Sequence, residues 1–314
     1  MISAEAKIVA LCGGIGGAKL ALGLLRALPP GALTIIGNTG DDFDHCGLPI
    51  SPDLDTICYT LSGLADPVRG WGRAGESWNF MDALGALGGP DWFSLGDRDL
   101  ALHVLRAEAL RSGTSLSEFT SGLAARLGIA ATILPMSDDR VRTIVDCDEG
   151  ALAFQDYFVR LRCAPAVRGV RFDGADNARP CARVLAALAD PDLAGIVICP
   201  SNPVLSIAPI LAVPGMADAI RNAAAPVLAI SPLIGGKAVK GPTRQIMQSM
   251  GAGADNAGVA AWYGDLIDAL AIDRTDAAQA AELGVPALVT ETLMNTDADK
   301  LRLAQWVLDY FRGG

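Results

Sequence analysis

The stretch from Lys7 to Asp55 constrains this chain most. An apolar run, Lys7-Ile8-Val9-Ala10-Leu11-Cys12, reads as a strand and meets a glycine turn, Gly13-Gly14-Ile15-Gly16-Gly17. An apolar helix from Ala18 to Leu28 and a second strand from Leu33 to Ile36 follow. Then comes the polar run Gly37-Asn38-Thr39-Gly40-Asp41-Asp42 and, shortly after, Ser51-Pro52-Asp53-Leu54-Asp55-Thr56. One strand end offers backbone N–H groups without side chains in the way, which suits a phosphate at a helix start. The next offers clustered carboxylates, which suit a hard divalent cation facing that phosphate. Together they read as half of a site for a nucleotide diphosphate and a metal.

The rest of the chain repeats the alternation of short apolar runs and alanine-rich helical patterns. That is the pattern of an α/β fold, a doubly wound and mostly parallel Rossmann-like sheet covered by helices. Strands are predicted at 132–136, 195–199, 226–230, near 266–272 and at 287–290, with a last helix over 297–311. Arg142–Val145 and Ala151–Phe154 flank a turn and read as a hairpin. Residues 1–60 and 130–314 form the nucleotide-binding core on this reading. Residues 61–129 form a mainly helical insertion over the carboxyl edge of the sheet, holding Trp71, Trp78 and Trp92. Polar runs recur just after strands, where open α/β sheets bind ligands.

Composition narrows the partners. The net charge is −10 with no lysine–arginine block, which argues against a nucleic-acid surface. Seven cysteines without a CxxC pair argue against a disulfide framework or a zinc site and for a reducing compartment. The N-terminus lacks signal-peptide character and no apolar run is long enough to span a bilayer. A cytoplasmic protein is expected.

The glycine turn fits neither familiar nucleotide motif. Gly14 and Gly16 match the first two glycines of the dinucleotide fingerprint, but Lys19 replaces the third. Ala18-Lys19-Leu20 breaks the Walker A pattern as well. Four glycines in five residues exceed what a tight crossover needs, which points to close approach of an anion. Asp41, Asp42, Asp44, Asp53 and Asp55 could each be loop or N-cap residues; as a group they suggest Mg²⁺. His103 reads as helix packing, and His45 lies in the acidic loop near substrate. The tryptophans could pack the cap or stack on a flat heteroaromatic ligand. Ser201, Asn202 and Lys237 are polar groups at strand ends near the same crevice.

Taken in order, CGGIGGAK (12–19), GNTGDD (37–42), SPDLDT (51–56), LGDRDLALH (95–103), LPMSDD (134–139), FQDYFV (154–159), PSNPVLSIAPI (200–210) and SPLIGGKAVKGP (231–242) closely resemble the 2-phospho-L-lactate transferase family of coenzyme F420 biosynthesis. The resemblance spans nearly the whole chain. It implies a Mg²⁺-dependent, commonly homodimeric enzyme. Such an enzyme joins the deazaflavin Fo to a phosphorylated three-carbon acid, of phospholactate, phosphoenolpyruvate or 3-phosphoglycerate type, donated from its guanosine-diphosphate derivative with release of GMP. By position it implies deazaflavin contacts at Asp55 and Ser94. Asp41 and Asp55 are then the first choices for the metal, with Asp42 and Asp53 as alternates. Asp55 or Asp42 would accept the proton. Gly13, Gly14, Gly16, Gly17, Ser201, Asn202 and Lys237 would hold the nucleotide, and Trp71, Trp78 and Trp92 would wall the deazaflavin. Two other readings remain: a non-catalytic nucleotide-sugar-binding regulator of a related fold, and a nicotinamide-dependent dehydrogenase suggested only by Gly14 and Gly16.

Overall fold

The computed structural model describes residues 6–238 and 243–313. Seven strands form one sheet: β1 (Lys7–Cys12), β2 (Leu33–Gly37), β3 (Thr132–Pro135), β4 (Leu193–Ile198), β5 (Val227–Ile230), β6 (Ala269–Asp273) and β7 (Ala287–Thr290). Their order across the sheet is β7-β6-β5-β4-β1-β2-β3, and every neighbouring pair is parallel. Such strands are buried on both faces and read as unbroken apolar runs. Alternation along β1 sends Val9 and Leu11 into one core layer and Ile8, Ala10 and Cys12 into the other. The doubly wound reading holds.

The chain winds outward from β1 through β2 to β3, then returns to the other side of β1 with β4 and continues to β7. The direction of winding reverses between β1 and β4, and the carboxyl ends of those strands frame the crevice where such sheets bind ligands. Around the sheet lie α1 (Gly14–Ala27), α2 (Pro52–Leu61), α3 (Asn79–Ala86), α4 (Asp97–Arg111) and α5 (Leu116–Arg126), with a C-terminal helix, Asp297–Phe311, packed on α1. Within 61–129, α5 packs against β3 and α2, so this stretch also contributes to the core under the sheet. No helix among the described residues is long and apolar enough to cross a membrane.

Three local differences from the sequence reading have clear causes. The first helix opens at Gly14, inside the glycine run, because Gly13 is extended and Gly14 takes φ +51°. The amides of the glycine run therefore belong to the first helical turn, where N–H groups lack intrahelical acceptors. The sequence reads a second helix over Asp55–Leu61 or from the Asp-Leu-Asp-Thr run at Asp53; it opens at Pro52, since proline is preset for the first helical position. The hairpin Arg142–Cys147/Gly150–Ala153 gains a third antiparallel strand, Val167–Asp173, whose alternation with exposed residues concealed it.

Gly16 sits at the reversal point. A Cβ there would come within 2.2 Å of the Pro200 carbonyl oxygen that follows β4. Gly16→Ala should lower stability by about 1–3 kcal/mol through forced separation of the two walls. Urea denaturation checks this, and an unchanged midpoint would show that the walls can part freely.

Candidate active site

A cavity of about 690 Å³ opens at the carboxyl edge of the sheet, within the usual range of roughly 300–1,000 Å³ for small-molecule sites. Segments following β1, β2, β4, β5 and β7 all reach it: Gly13–Gly16, Asp41, Pro200–Asn202, Ser231–Pro232 and Thr292–Met294. The turns that follow β1 and β4 are tied together. Ser201 Oγ accepts from Gly13 N at 3.2 Å and donates to Gly13 O at 2.9 Å. Asn202 Oδ1 accepts from Val204 N and Leu205 N, capping the turn that follows, while its amide donates to Thr243 Oγ1 at 3.3 Å. Both residues line the cavity, and their side chains also build its wall.

The acids separate into two settings. Asn38, fully buried at the end of β2, donates from one amide nitrogen to Asp41 Oδ1 at 2.5 Å and Asp53 Oδ2 at 3.0 Å. Burial raises the Asp53 carboxyl to about 6, against the Asn38 bond and a Gly14 N–H. Burial, followed by the charges of Asp53 and Asp42, raises Asp41 well above the usual carboxylate range. Asp41 and Asp53 thus form a pair short of positive charge, facing the cavity. Asp42 lies behind the lining. Ser51 donates to its Oδ2 at 2.8 Å, its Oδ1 is buried without a partner, and burial pushes it up to about 8.

Asp55 is two residues from Asp53 in the first turn of α2. Two helical steps rotate a side chain by roughly 200°, and Asp55 meets a different partner. Arg106 of α4, buried, contacts both of its carboxylate oxygens. Burial works to discharge that guanidinium, but the Asp55 charge and hydrogen bond outweigh it and raise its pKa. His103, also buried, places Nδ1 3.8 Å from Asp55 Oδ2 and Nε2 3.3 Å from Asp99 Oδ2. Tyr59 donates to Asp99 Oδ1 at 2.5 Å. Asp55, Asp99 and Tyr59 line the cavity, and Arg106 and His103 stand behind them.

Aromatic side chains share this cavity: Trp71, Trp92, Phe93, Phe154 and Phe158. Trp92, Phe93, Phe43 and His45 form a cluster with ring centroids 4.8–6.0 Å apart. Of the residues singled out from the sequence, Gly13, Gly14, Gly16, Asp41, Asp55, Trp71, Trp92, Ser94, Ser201 and Asn202 meet in this one cavity, with the alternate Asp53. Gly17, Asp42, Trp78 and Lys237 do not line it. Gly17 packs on Cys12 and Ser201, Trp78 stacks under the Arg69 guanidinium, and Lys237 is exposed. Residues 239–242 of the SPLIGGKAVKGP block lie outside the described residues.

The glycines also have a structural purpose. Gly13 and Gly16 each face a group that a Cβ would strike, Ser206 and the Pro200 carbonyl. Their number is therefore required by close packing as well as open to an anion. Sequence reasoning missed Arg106, Asp99, Tyr59 and Lys19. The spacing of Asp99, His103 and Arg106, four and then three residues, marks one helix face and was the available signal.

A divalent cation fits the Asp41–Asp53 pair, because the two buried carboxylates share the neutral Asn38 donor and neither forms an ion pair among the described residues. Among the described residues no three acidic, histidine or cysteine side chains converge as a complete ligand set. Mg²⁺ typically takes one or two carboxylates and completes its shell with water and substrate phosphate.

A model of the family described as 2-phospho-L-lactate transferase CofD matches residues 8–306. The chain belongs to that family. It is 44% identical to a phosphoenolpyruvate transferase of Kitasatospora aureofaciens, over 95% of this chain and 97% of the relative. It is 43% identical to a phosphoenolpyruvate transferase of Streptomyces avermitilis (91% and 93% covered). It is 38% identical to a 2-phospho-L-lactate transferase of Methanosarcina acetivorans (97% and 99% covered). Protein BH3568 of Bacillus halodurans superposes with a TM-score of 0.63 at 17% identity, over 97% of this chain and 99% of that one, which shows a shared fold. As a CofD family member the chain is a transferase of coenzyme F420 biosynthesis.

Arg106→Met leaves Asp55 buried without its countercharge and should cost about 3–5 kcal/mol. Adding Asp55→Asn should return much of that loss; a double variant as unstable as the single one would disprove the pairing. Asp42 and Asp53 hold protons in the folded protein where unfolded aspartates, titrating near 3.8, have lost them. The folded state therefore binds more protons, and their contribution makes stability fall as pH rises through about 6 and about 8. In chelator, Asp42→Asn should flatten the upper part of that decline. Urea midpoints from about pH 6 to about pH 9 measure it, and parallel curves for variant and parent would refute the assignment.

Proposed function

We propose that this transferase joins the deazaflavin Fo to a phosphorylated three-carbon acid carried as its guanosine-diphosphate derivative. The primary hydroxyl oxygen of the ribityl chain bonds to the phosphorus that bears the acid. The bond from that phosphorus to the bridging oxygen breaks, and the electron pair leaves with GMP. The product is a phosphodiester, and the carboxylate of the acid does not react. The observation that carries this reading is the juxtaposition in one cavity of the Asp41–Asn38–Asp53 group, the first-turn amides of α1 and the aromatic side chains Trp71, Trp92 and Phe93.

Each part has a task. Phosphoryl transfer needs positioning and neutralisation of charge more than covalent help. Asp41 and Asp53 would hold Mg²⁺, which would offset the charge of the phosphates when bound. First-turn amides of α1 would receive phosphate oxygens. The flat deazaflavin would lie against the aromatic side chains. Asp55, fixed from behind by Arg106, is the cavity carboxylate available to accept the ribityl proton, and a base must lie within hydrogen-bond reach of the proton it takes. Asp42 would act at one remove, through Ser51. The higher identity to relatives named for phosphoenolpyruvate favours an enolpyruvyl donor. A purely regulatory nucleotide-sugar protein would have no evident use for Asp55 and Asp99 beside the aromatic side chains.

Protein, Fo and Mg²⁺ mixed with competing guanosine-diphosphate acids should release GMP in step with a charged deazaflavin product, the enolpyruvyl form first. Mass analysis of the product identifies the acid. Asp53→Asn should lower turnover at least about a hundredfold. Absence of product from every three-carbon donor would end this reading.

A further inference from the structure

The cavity carries a marked imbalance of charge. Asp41, Asp53, Asp55 and Asp99 line it, and Lys19 is the only cationic side chain among the described residues that do. Arg106 answers Asp55 from outside the lining. A nucleotide diphosphate would add further negative charge.

Lys19 lies in the second turn of α1, half-buried, and its ammonium donates to the Met294 carbonyl at 2.8 Å. Its carbonyl partner reaches the cavity from the side of the sheet opposite the acids. Asp41 follows β2 and Asp53 opens α2, on one side of β1. Met294 follows β7, at the far edge of the other side. The segments after β4, β5 and β7 bring no charged side chain to the cavity among the described residues, and their polar groups include Ser201, Asn202, Ser231 and Thr292. If the reacting phosphorus sits at the acid pair, the remainder of the donor extends toward Lys19.

Resting on the function proposed above, we propose that Lys19 holds the α-phosphate of the guanosine nucleotide, in the donor and in the GMP that departs. A lysine ammonium is a compact point charge on a flexible stem, well suited to a phosphate oxygen. As the bond between the transferred phosphorus and the bridging oxygen breaks, its electron pair moves onto the oxygen that leaves with GMP. A cation on that phosphate offsets the charge where it accumulates. The ammonium either shares itself between Met294 O and the phosphate or moves from one to the other. Lys19 is thus a nucleotide-phosphate residue, distinct in task from Asp41 and Asp53.

The test compares GMP with guanosine, which differ only in the phosphate. Each is titrated into the full-length parent, Lys19→Gln and Lys19→Arg, with Fo as a separate titration. Glutamine keeps a neutral donor for the Met294 carbonyl and removes the charge. Lys19→Gln should weaken GMP roughly tenfold to a hundredfold and leave guanosine and Fo affinities unchanged. Lys19→Arg should retain most of the GMP affinity. Equal GMP affinity in parent and Lys19→Gln would overturn the inference, as would a parallel loss of guanosine, which would reveal a packing role through Met294. If the parent forms product but Lys19→Gln binds GMP normally, only this inference falls. If the parent binds neither GMP nor donor, the nucleotide reading falls and takes this inference with it.

Discussion

Buried negative charge is the constraint around which this molecule is arranged. Moving a carboxylate out of water is costly unless hydrogen bonds or a countercharge replace its hydration. Five aspartates near the carboxyl edge of the sheet meet that demand in different ways. Asp55 has Arg106, Asp99 has Tyr59 and His103 beside it, and Asp42 has Ser51. Asp41 and Asp53 share one amide from Asn38, with a Gly14 N–H on Asp53. Neither of these two forms an ion pair among the described residues, and both face the cavity. Bringing carboxylates together in this way costs stability in the isolated fold, and on the proposed reading a cation and a phosphate would offset it.

The walls that present these groups are rigid for reasons visible in the chain. Gly16 lets the start of α1 press on the Pro200 carbonyl, Ser201 bonds Gly13 twice, and Asn202 caps the segment beyond it. Two π-helical turns, Asp156–Arg160 and Pro203–Ile207, contribute Phe158, Val159, Leu205 and Ser206 to the cavity. Such turns are often found at functional sites because the widened helix re-aims side chains. Residues that could have been ligand contacts alone therefore also fix the geometry, which is what a preorganised site requires.

Helix α4 explains why part of the site escaped the sequence reading. A helix at the surface of a globular core usually hides an apolar stripe. Here the buried face carries Leu102, His103, Arg106 and Ala107, while Val104 and Leu105 are exposed. Apolar periodicity therefore points the wrong way around the helix. On that periodicity His103 reads as packing, and nothing marks Arg106. The pair Asp53 and Asp55 posed a related difficulty. Adjacent in sequence they look like one cluster, but helical rotation sends one to Asn38 and the other to Arg106.

The sequence by itself determined the architecture and its ligand-facing edge. Apolar runs at the strand period, glycine and proline at the turns and polar residues after the strands are local signals, and local signals fix strands, helices and the parallel sheet. The ordered motif blocks likewise pointed to the family that the matches establish. Only the tertiary structure decided which acids act together, which partner answers each, and that Lys19 faces the cavity. Those choices depend on where α4 and the segment after β7 pack, 40 to 275 residues from their partners in the chain. Charge compensation in a buried site acts through space over a few ångströms, and nothing in the local spacing of residues records it.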